Sequence, residues 1–342
     1  MLGKRRFWIG LAVSLFFLFL FFYKTDFPEI WRSLRGAEYI YLLPAAVIYF
    51  AAVWFRALRW RYLLEPLGEF PASRLYPVVA IGYMANNLLP LRAGELVRAY
   101  IVGEKERISK TSVLATIVVE RIFDGLTLLV FLAFIMMFAD ISGWFVHVAQ
   151  VMSAVFLSAF VLFLLIVSSA RRTQLAAVFA MRLLSRRAQA AGVRLVVMFI
   201  DGLRVLQRPW NLSLVTATSV AGWMCEAAIY VLVARAFHLG EPFYVLLLAL
   251  CMANLAITLP SSQGGIGPFE YFARESLTRF NTSKAAATAY AIVLHAVLMV
   301  PVTVVGLFFL WRENISLGEL ERQRVEAVPL GGAVPLDAGG EE

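Results

Sequence analysis

The sequence predicts an all-α, polytopic membrane bundle, and three observations carry that prediction. Of its 342 residues, 61% are hydrophobic and only 16% charged, against roughly half and a quarter in soluble domains. Apolar runs close to the ~20 residues that cross a bilayer recur along the chain. The basic residues behind the net charge of +8 gather between those runs, as topology-setting loop charge does. The 27 Phe and 8 Trp suit lipid-facing helices with interfacial anchors.

In chain order, Lys4-Arg5-Arg6 precedes a first span at Phe7–Tyr23. No small-residue cleavage position follows it, so it reads as a retained span. Tyr39–Leu58 is the second, closing on Arg56, Arg59, Trp60 and Arg61 as an interfacial collar. Leu75–Leu89 is apolar but short. After the polar stretch Arg92–Lys110 comes a long span, Thr111–Phe138, with Glu120, Arg121 and Asp124 inside it, and Trp144–Val167 crosses back. Residues 171–209 hold eight arginines against one acid, Asp201, with apolar residues at helical spacing. That pattern predicts an amphipathic helix on the cytoplasmic membrane surface. Nothing in it is arranged to read bases, so nucleic acid is set aside as a partner.

Leu212–Phe237 is the next span, with Glu226 and Arg235 inside, followed by the short segment Phe243–Leu259 and Pro260. Ser261–Lys284 is Gly-rich and then amphipathic, and Ala285–Trp311, containing His295, is the last span. Glu226, Arg235 and His295 read as polar groups that pair with one another across helices. Residues 317–342 turn Gly/Pro/Ala-rich and read as a disordered cytoplasmic tail. Cys225 and Cys251 both fall in apolar segments and imply neither disulfide nor metal.

Charge then constrains topology. The Lys4–Arg6 cluster, the 56–74 loop and the 171–209 region all belong on the cytoplasmic side only if Leu75–Leu89 dips into the bilayer and returns. The same counting makes Phe243–Leu259 a dip from the opposite face, giving six crossings plus two half-spanning segments in an inner-membrane protein with both termini cytoplasmic. Whether the two short segments are re-entrant or fully spanning stays open.

The two short segments also end alike. Asn86-Asn87-Leu88-Leu89-Pro90 is followed by Gly94 and Glu95; Asn254 leads to Leu259-Pro260, then Gly264 and Glu270. Each continues through Ser-Lys (Ser109-Lys110, Ser283-Lys284) into a long apolar span. Paired, proline-interrupted segments in opposite orientation predict two inverted repeats, about 39–138 and 212–311, with a site where the breaks meet.

Asn87–Arg98, the Glu120-Arg121…Asp124 box, Arg59-Trp60 and Leu259-Pro260…Gly264-Gly265-Ile266-Gly267…Glu270 resemble the membrane domain of the lysylphosphatidylglycerol synthase/flippase family. The resemblance runs from about residue 5 to 312. It implies movement of a lipid between leaflets, and lipid-linked glycan pathways in some branches. Only 31 residues follow Trp311, so the soluble aminoacyltransferase activity of bifunctional members does not carry over. Ser261-Ser262-Gln263 stands where the family often has a further proline.

Several residues can carry chemistry. Glu120, Arg121 and Asp124 lie about 15 Å into their span, where each ionisable group costs roughly 2.5–3.5 kcal/mol. They read either as an internal ion pair that locks the bundle, or as a site in which Arg121 meets a lipid phosphate and the acids bind a cationic headgroup or a coupling proton. Arg92 and Arg98 flank Gly94-Glu95 and suit a phosphate or interfacial snorkelling. Asn86 and Asn87 can cap a helix or bind a headgroup. Gly264, Gly265 and Gly267 offer approachable backbone amides. The expected site therefore comprises Arg59, Asn86, Asn87, Pro90, Arg92, Gly94, Glu95, Arg98, Glu120, Arg121, Asp124, Pro260, Gly264, Gly265, Gly267 and Glu270. No phosphate loop, nucleophile elbow or metal motif occurs, so no catalytic residue, cofactor or metal is expected. The leading expectation is a translocase for an anionic phospholipid or polyprenyl-linked lipid. A headgroup transferase and a non-catalytic scaffold are the alternatives. A second copy of the chain or a cell-envelope biosynthesis enzyme are the protein partners left open.

Overall fold

The computed structural model describes residues 2–89, 93–138, 209–258 and 261–313, with a few isolated positions between 139 and 208. The expected span Trp144–Val167, the basic segment 171–209 (Pro209 apart) and the tail 317–342 lie outside the described residues. What is described is helical, with no strand among the described residues.

Helix α1 (Leu2–Phe22) matches the first expected span. A second helix, α2 (Phe27–Arg35), follows at 84° to it, in a stretch for which no element was expected from the sequence. The local signal is legible in hindsight. Asp26 accepts from the Glu29 backbone N–H at 3.3 Å and Pro28 stands at the start, an N-terminal capping pattern. Ile30 is the one buried residue of α2.

The core comprises α3 (Leu42–Leu64), α4 (Ala72–Leu88), α5 (Gly94–Lys105) and α6 (Lys110–Met136), then α7 (Pro209–Ala236), α8 (Phe243–Ala256), α9 (Pro268–Thr278) and α10 (Lys284–Arg312). Each of the long helices α6 and α10 begins at a serine cap. Ser109 accepts from the Ser112 N–H at 3.3 Å, and Ser283 from that of Ala286 at 3.2 Å. The short helices α4 and α8 have 17 and 14 residues, which at 1.5 Å per residue is about 26 and 21 Å, less than a ~30 Å hydrocarbon core.

Helices α3, α7 and α10 are long and apolar enough to cross a membrane, and the bent α1–α2 pair makes a fourth candidate. Helix α6 has 27 residues, but Glu120, Arg121 and Asp124 fall in every 18-residue stretch of it. It needs protein on its charged face. Packing supplies this: α3 lies along α7, α4 along α10, α5 against α6, and α6 also touches α3, α7 and α8. Small residues mark the closest approaches, among them Ala45, Ala52 and Ala57 of α3 and Ala285, Ala287, Ala289 and Ala291 of α10, all buried. Large apolar residues point outward: Leu43 and Val47 of α3, Val130 and Phe134 of α6, Val300, Val304 and Phe308 of α10. Polar inside and apolar outside is the pattern of a bundle solvated by lipid.

One expectation changes here. Arg56, Arg59 and Trp60 form no interfacial collar: α3 runs on to Leu64, and all three are buried at 8%, 1% and 0% exposure. Only Arg61 is exposed. Helix α1, for its part, is fastened to the second half of the bundle. Ser14 donates to the Ile266 carbonyl at 2.7 Å and accepts from the Ser262 N–H at 2.8 Å, while buried Arg274 of α9 holds the Leu20 and Phe21 carbonyls at the end of α1.

Gly94, the first residue of α5, sits directly against α4, where a Cβ would overlap the Gly82 carbonyl and the Asn86 side chain. Replacing Gly94 by alanine is therefore expected to cost about 1–3 kcal/mol through overpacking, read as a fall in the thermal unfolding temperature of the purified protein in detergent. An unchanged temperature would mean that α4 and α5 are free to separate at this point.

Candidate functional site

A buried ion-pair network ties four helices together. Arg98 of α5 forks onto Glu120 of α6, Nη1 to Oε1 at 3.1 Å and Nη2 to Oε2 at 2.8 Å, with its guanidinium 4.0 Å from the Trp60 ring centre. Trp60 in turn donates to Thr116 at 3.1 Å. Arg59 of α3 reaches Glu120 at 3.1 Å and Asp124 at 2.7 Å, and donates to Ser219 of α7 at 3.1 Å. Trp223 of α7 donates to Asp124 at 3.0 Å. Glu120 is fully buried, so two guanidiniums compensate a carboxylate that lies out of reach of water.

Arg121 is held differently. It stands 3.3 Å from Asp124, 3.6 Å from Glu120 and 3.7 Å from Glu95, and its side chain keeps 37% exposure. Its Nε is buried with no partner among the described residues. Glu95 also accepts weakly from the Asn86 amide at 3.4 Å, and Asn86 caps α5 by accepting from the Gly94 N–H at 2.8 Å. A neighbouring pair joins Arg56 of α3 to Glu226 of α7, and Asn254 at the end of α8 donates to the same carboxylate at 3.0 Å. Four guanidiniums thus face four carboxylates (Glu95, Glu120, Asp124, Glu226), a formally neutral set.

These groups surround a polar cavity of about 130 Å³, room for roughly four waters at ~30 Å³ each. Its wall takes Asn86 and Asn87 from the end of α4, Asn254 and Ile257 from the end of α8, Gly264 and Gly265 from the loop beyond, and Arg121 and Asp124 from α6. Of the residues expected from the sequence, Asn86, Asn87, Arg121, Asp124, Gly264 and Gly265 are therefore brought to one wall. Arg59, Gly94, Glu95, Arg98 and Glu120 stand behind it. Asn87 also donates to Thr303 of α10 at 2.9 Å. Pro90, Arg92 and Pro260 lie outside the described residues.

The loop that closes the cavity has left-handed backbone at Gly264 (φ 68°), Gly265 (φ 76°) and Gly267 (φ 100°), a conformation that favours glycine. Gly267 N–H donates to Glu270 Oε2 at 2.7 Å, starting α9. Glu270 Oε1 lies 2.7 Å from Nδ1 of His295, whose Nε2 lies 3.1 Å from the Gly264 carbonyl, and Phe269 stacks on the imidazole at 4.1 Å.

Sequence reasoning missed Arg56, Glu226, Asn254 and His295 as cavity residues. Glu226 and His295 do not pair with each other or with exposed Arg235. Each finds a partner on another helix: Glu226 pairs with Arg56, 170 residues away, and His295 with Glu270 on the preceding helix. A signal existed: both are ionisable groups inside apolar spans, as Glu120 is. Among the described residues no group of three or more His, Cys, Asp or Glu is placed to hold a metal.

A helical bundle with an apolar exterior and ion pairs buried inside it is a polytopic membrane protein. The chain belongs to the lysylphosphatidylglycerol synthase transmembrane-region family, whose profile matches residues 7–306. It is similar to the glycosyltransferase AglD of Haloferax volcanii, 30% identical over 339 residues, which covers 90% of this chain and 54% of that protein. A UPF0104 membrane protein of Methanothermobacter thermautotrophicus is 34% identical over 124 residues, 34% of this chain and 36% of that protein. A second UPF0104 membrane protein, from Methanocaldococcus jannaschii, is 25% identical over 139 residues, 40% and 41% of the two chains. The match therefore spans about half, or less, of the length of these relatives. No solved structure matches.

The network predicts a split between two substitutions. Glu120→Ala leaves Arg59 and Arg98 without their shared buried partner and should destabilise by about 3–5 kcal/mol. Arg121→Ala removes a partly exposed group held by longer contacts and should cost no more than about 1 kcal/mol. Thermal unfolding of the two variants in the same detergent decides, and equal losses would make Arg121 part of the lock.

Proposed function

We propose that this protein binds the phosphate of an anionic lipid at Arg121 and moves that lipid between the leaflets of the cytoplasmic membrane. The observation that carries the reading is the convergence of both short-helix ends on one polar cavity whose wall includes Arg121, the least tightly paired of the four site arginines. A guanidinium that hovers between three carboxylates can exchange one of them for a phosphate without leaving a buried charge bare. Asn86, Asn87 and Asn254 supply further donors to headgroup oxygens, and the acyl chains would remain against the apolar exterior.

In this reading the two halves, α3 to α6 and α7 to α10, are inverted repeats whose short helices are re-entrant. Their shared long–short–short–long order and matching serine caps support the relation. Residues 1–316 form the membrane domain and 317–342 a cytoplasmic tail, with both termini cytoplasmic by the distribution of basic residues. Arg59, Gly94, Glu95, Arg98, Glu120, Gly267 and Glu270 position the wall rather than touch the lipid.

A second reading has one observation in its favour: similarity to a protein named as a glycosyltransferase extends over 90% of this chain. The cargo is then a sugar carried on a polyprenyl phosphate, which presents the same phosphate to the same arginine. Vesicles containing the purified protein and either a fluorescent anionic phospholipid or a fluorescent polyprenyl-phosphate sugar separate the two, with a membrane-impermeant quencher reporting transfer. Arg121→Ala should lower the rate for the true cargo by roughly tenfold or more, the loss of one charge-assisted phosphate contact. An unchanged rate in folded Arg121→Ala protein would remove Arg121 from the site. A covalently altered lipid would identify a transferase.

A further inference from the structure

In each half of the bundle the short helix after the break is bolted to the following long helix by one buried ion pair, but the two bolts differ in kind. In the first half Arg98 meets Glu120, 22 residues on. In the second Glu270 meets His295, 25 residues on, with the signs of charge exchanged. The first bolt is permanent, since a guanidinium does not deprotonate in proteins. The second is built on an imidazole, which exists with either one ring proton or two.

Its geometry also fixes a proton count. Nδ1 faces a carboxylate oxygen at 2.7 Å and Nε2 faces a carbonyl oxygen at 3.1 Å. The other Glu270 oxygen already accepts from Gly267 N–H. Satisfying both ring contacts takes one proton more than a carboxylate beside a neutral imidazole possesses, whether that proton rides on Nδ1 or on Oε1. Once it leaves, the single remaining N–H serves Glu270 or Gly264, not both. The charge-assisted bond to the carboxylate is the stronger, so the tether to Gly264 is the one that opens.

We infer that His295 and Glu270 form a proton-binding site that holds the Gly264–Gly265 wall of the cavity closed. Loss of the proton to water in the cavity breaks the Nε2–H bond to Gly264 and releases that wall; uptake restores it. The other charged or titratable groups on the cavity wall are Tyr49 and Arg56 of α3, Tyr83 of α4, Arg121 and Asp124 of α6, and Glu226 of α7. Arg56 is matched to Glu226 and Arg121 to Asp124, so no unmatched wall cation stands in for the imidazolium. A glycine loop with positive φ at three positions is the wall best able to move. The consequence for transport, a proton-gated or proton-coupled step, rests on the lipid reading above; the site itself does not.

The test uses the full chain in vesicles of zwitterionic phosphatidylcholine alone, which contain no anionic lipid. Nitrogen-15 NMR of labelled histidine reports ring protonation. With three histidines in the chain, the His295 signal is the one that His295→Gln removes. A cysteine placed at Gln263 in a Cys225→Ser, Cys251→Ala background reports loop accessibility to a thiol reagent, normalised to free cysteine at each pH. As the pH is raised across the range in which the protein stays folded, His295 should pass from a doubly protonated to a singly protonated ring. Labelling should rise roughly tenfold over the same range, the release expected for one charge-assisted hydrogen bond at about 1.4 kcal/mol per factor of ten. His295→Gln should abolish the pH dependence, and Glu270→Gln serves if that variant does not fold. A His295 that keeps one protonation state across the range, or the same pH response in the variants, overturns the proposal. Because neither reading involves lipid transfer, failure of the vesicle flux assay and failure of this site are told apart.

Discussion

The bidentate Arg98–Glu120 pair, with Arg59 on the same carboxylate, is the constraint from which the rest of the bundle follows. A helix with three ionisable groups in its centre cannot face hydrocarbon, so α6 must be enclosed. Enclosing it takes a guanidinium from α3 and another from α5, with a hydroxyl acceptor for Arg59 and an indole donor to Asp124 from α7, and the packing of those helices around α6 brings that about. Each partner is worth having only because the others are present. Two guanidiniums around one buried carboxylate are tolerable because Asp124 takes up the second positive charge.

That balance shapes what the cavity can do. With four arginines set against four carboxylates, the site carries no net field for an anion, and only a group that can change partners is free to hold one. Arg121, half in the cavity and at longer range from its acids, is such a group. The buried pairs behind it hold the wall in place. Under the proposed function, one loosely held arginine in such a frame suits binding and releasing an anion in turn rather than gripping it.

The two halves are alike in layout and unlike in their fastenings. Ser14 and Arg274 tie α1 to the loop and helix of the second half, so the N-terminal helix serves as a buttress for the glycine wall. Nothing comparable among the described residues secures that wall on its inner side except the His295–Gly264 contact. The mobile part of the cavity is therefore expected where the bolt is titratable and the backbone is glycine, and the fixed part where the bolt is arginine.

The helical membrane architecture was legible in the sequence because it follows from quantities that add along the chain: apolar runs, loop charge, and breaks at Asn-Leu-Leu-Pro and Leu-Pro. The importance of Glu120, Arg121 and Asp124 was legible for the same reason, as charge where a span should be apolar. The partners were not. Arg56 and Arg59 looked like a collar because their fate depends on how far α3 extends and which helix lies beside it. Glu226 and His295 looked like a pair because one-dimensional spacing carries no record of helix rotation. Only the packed structure decided that Arg98 is locked onto Glu120 while Arg121 is left at the cavity, since the choice between neighbouring cations is made by how the consecutive helices α5 and α6 are rotated against each other and against α3. The stretch 86–98 was the candidate from the sequence, and among its described residues tertiary packing determined that Asn86 and Asn87 line the cavity while Gly94, Glu95 and Arg98 stand behind it.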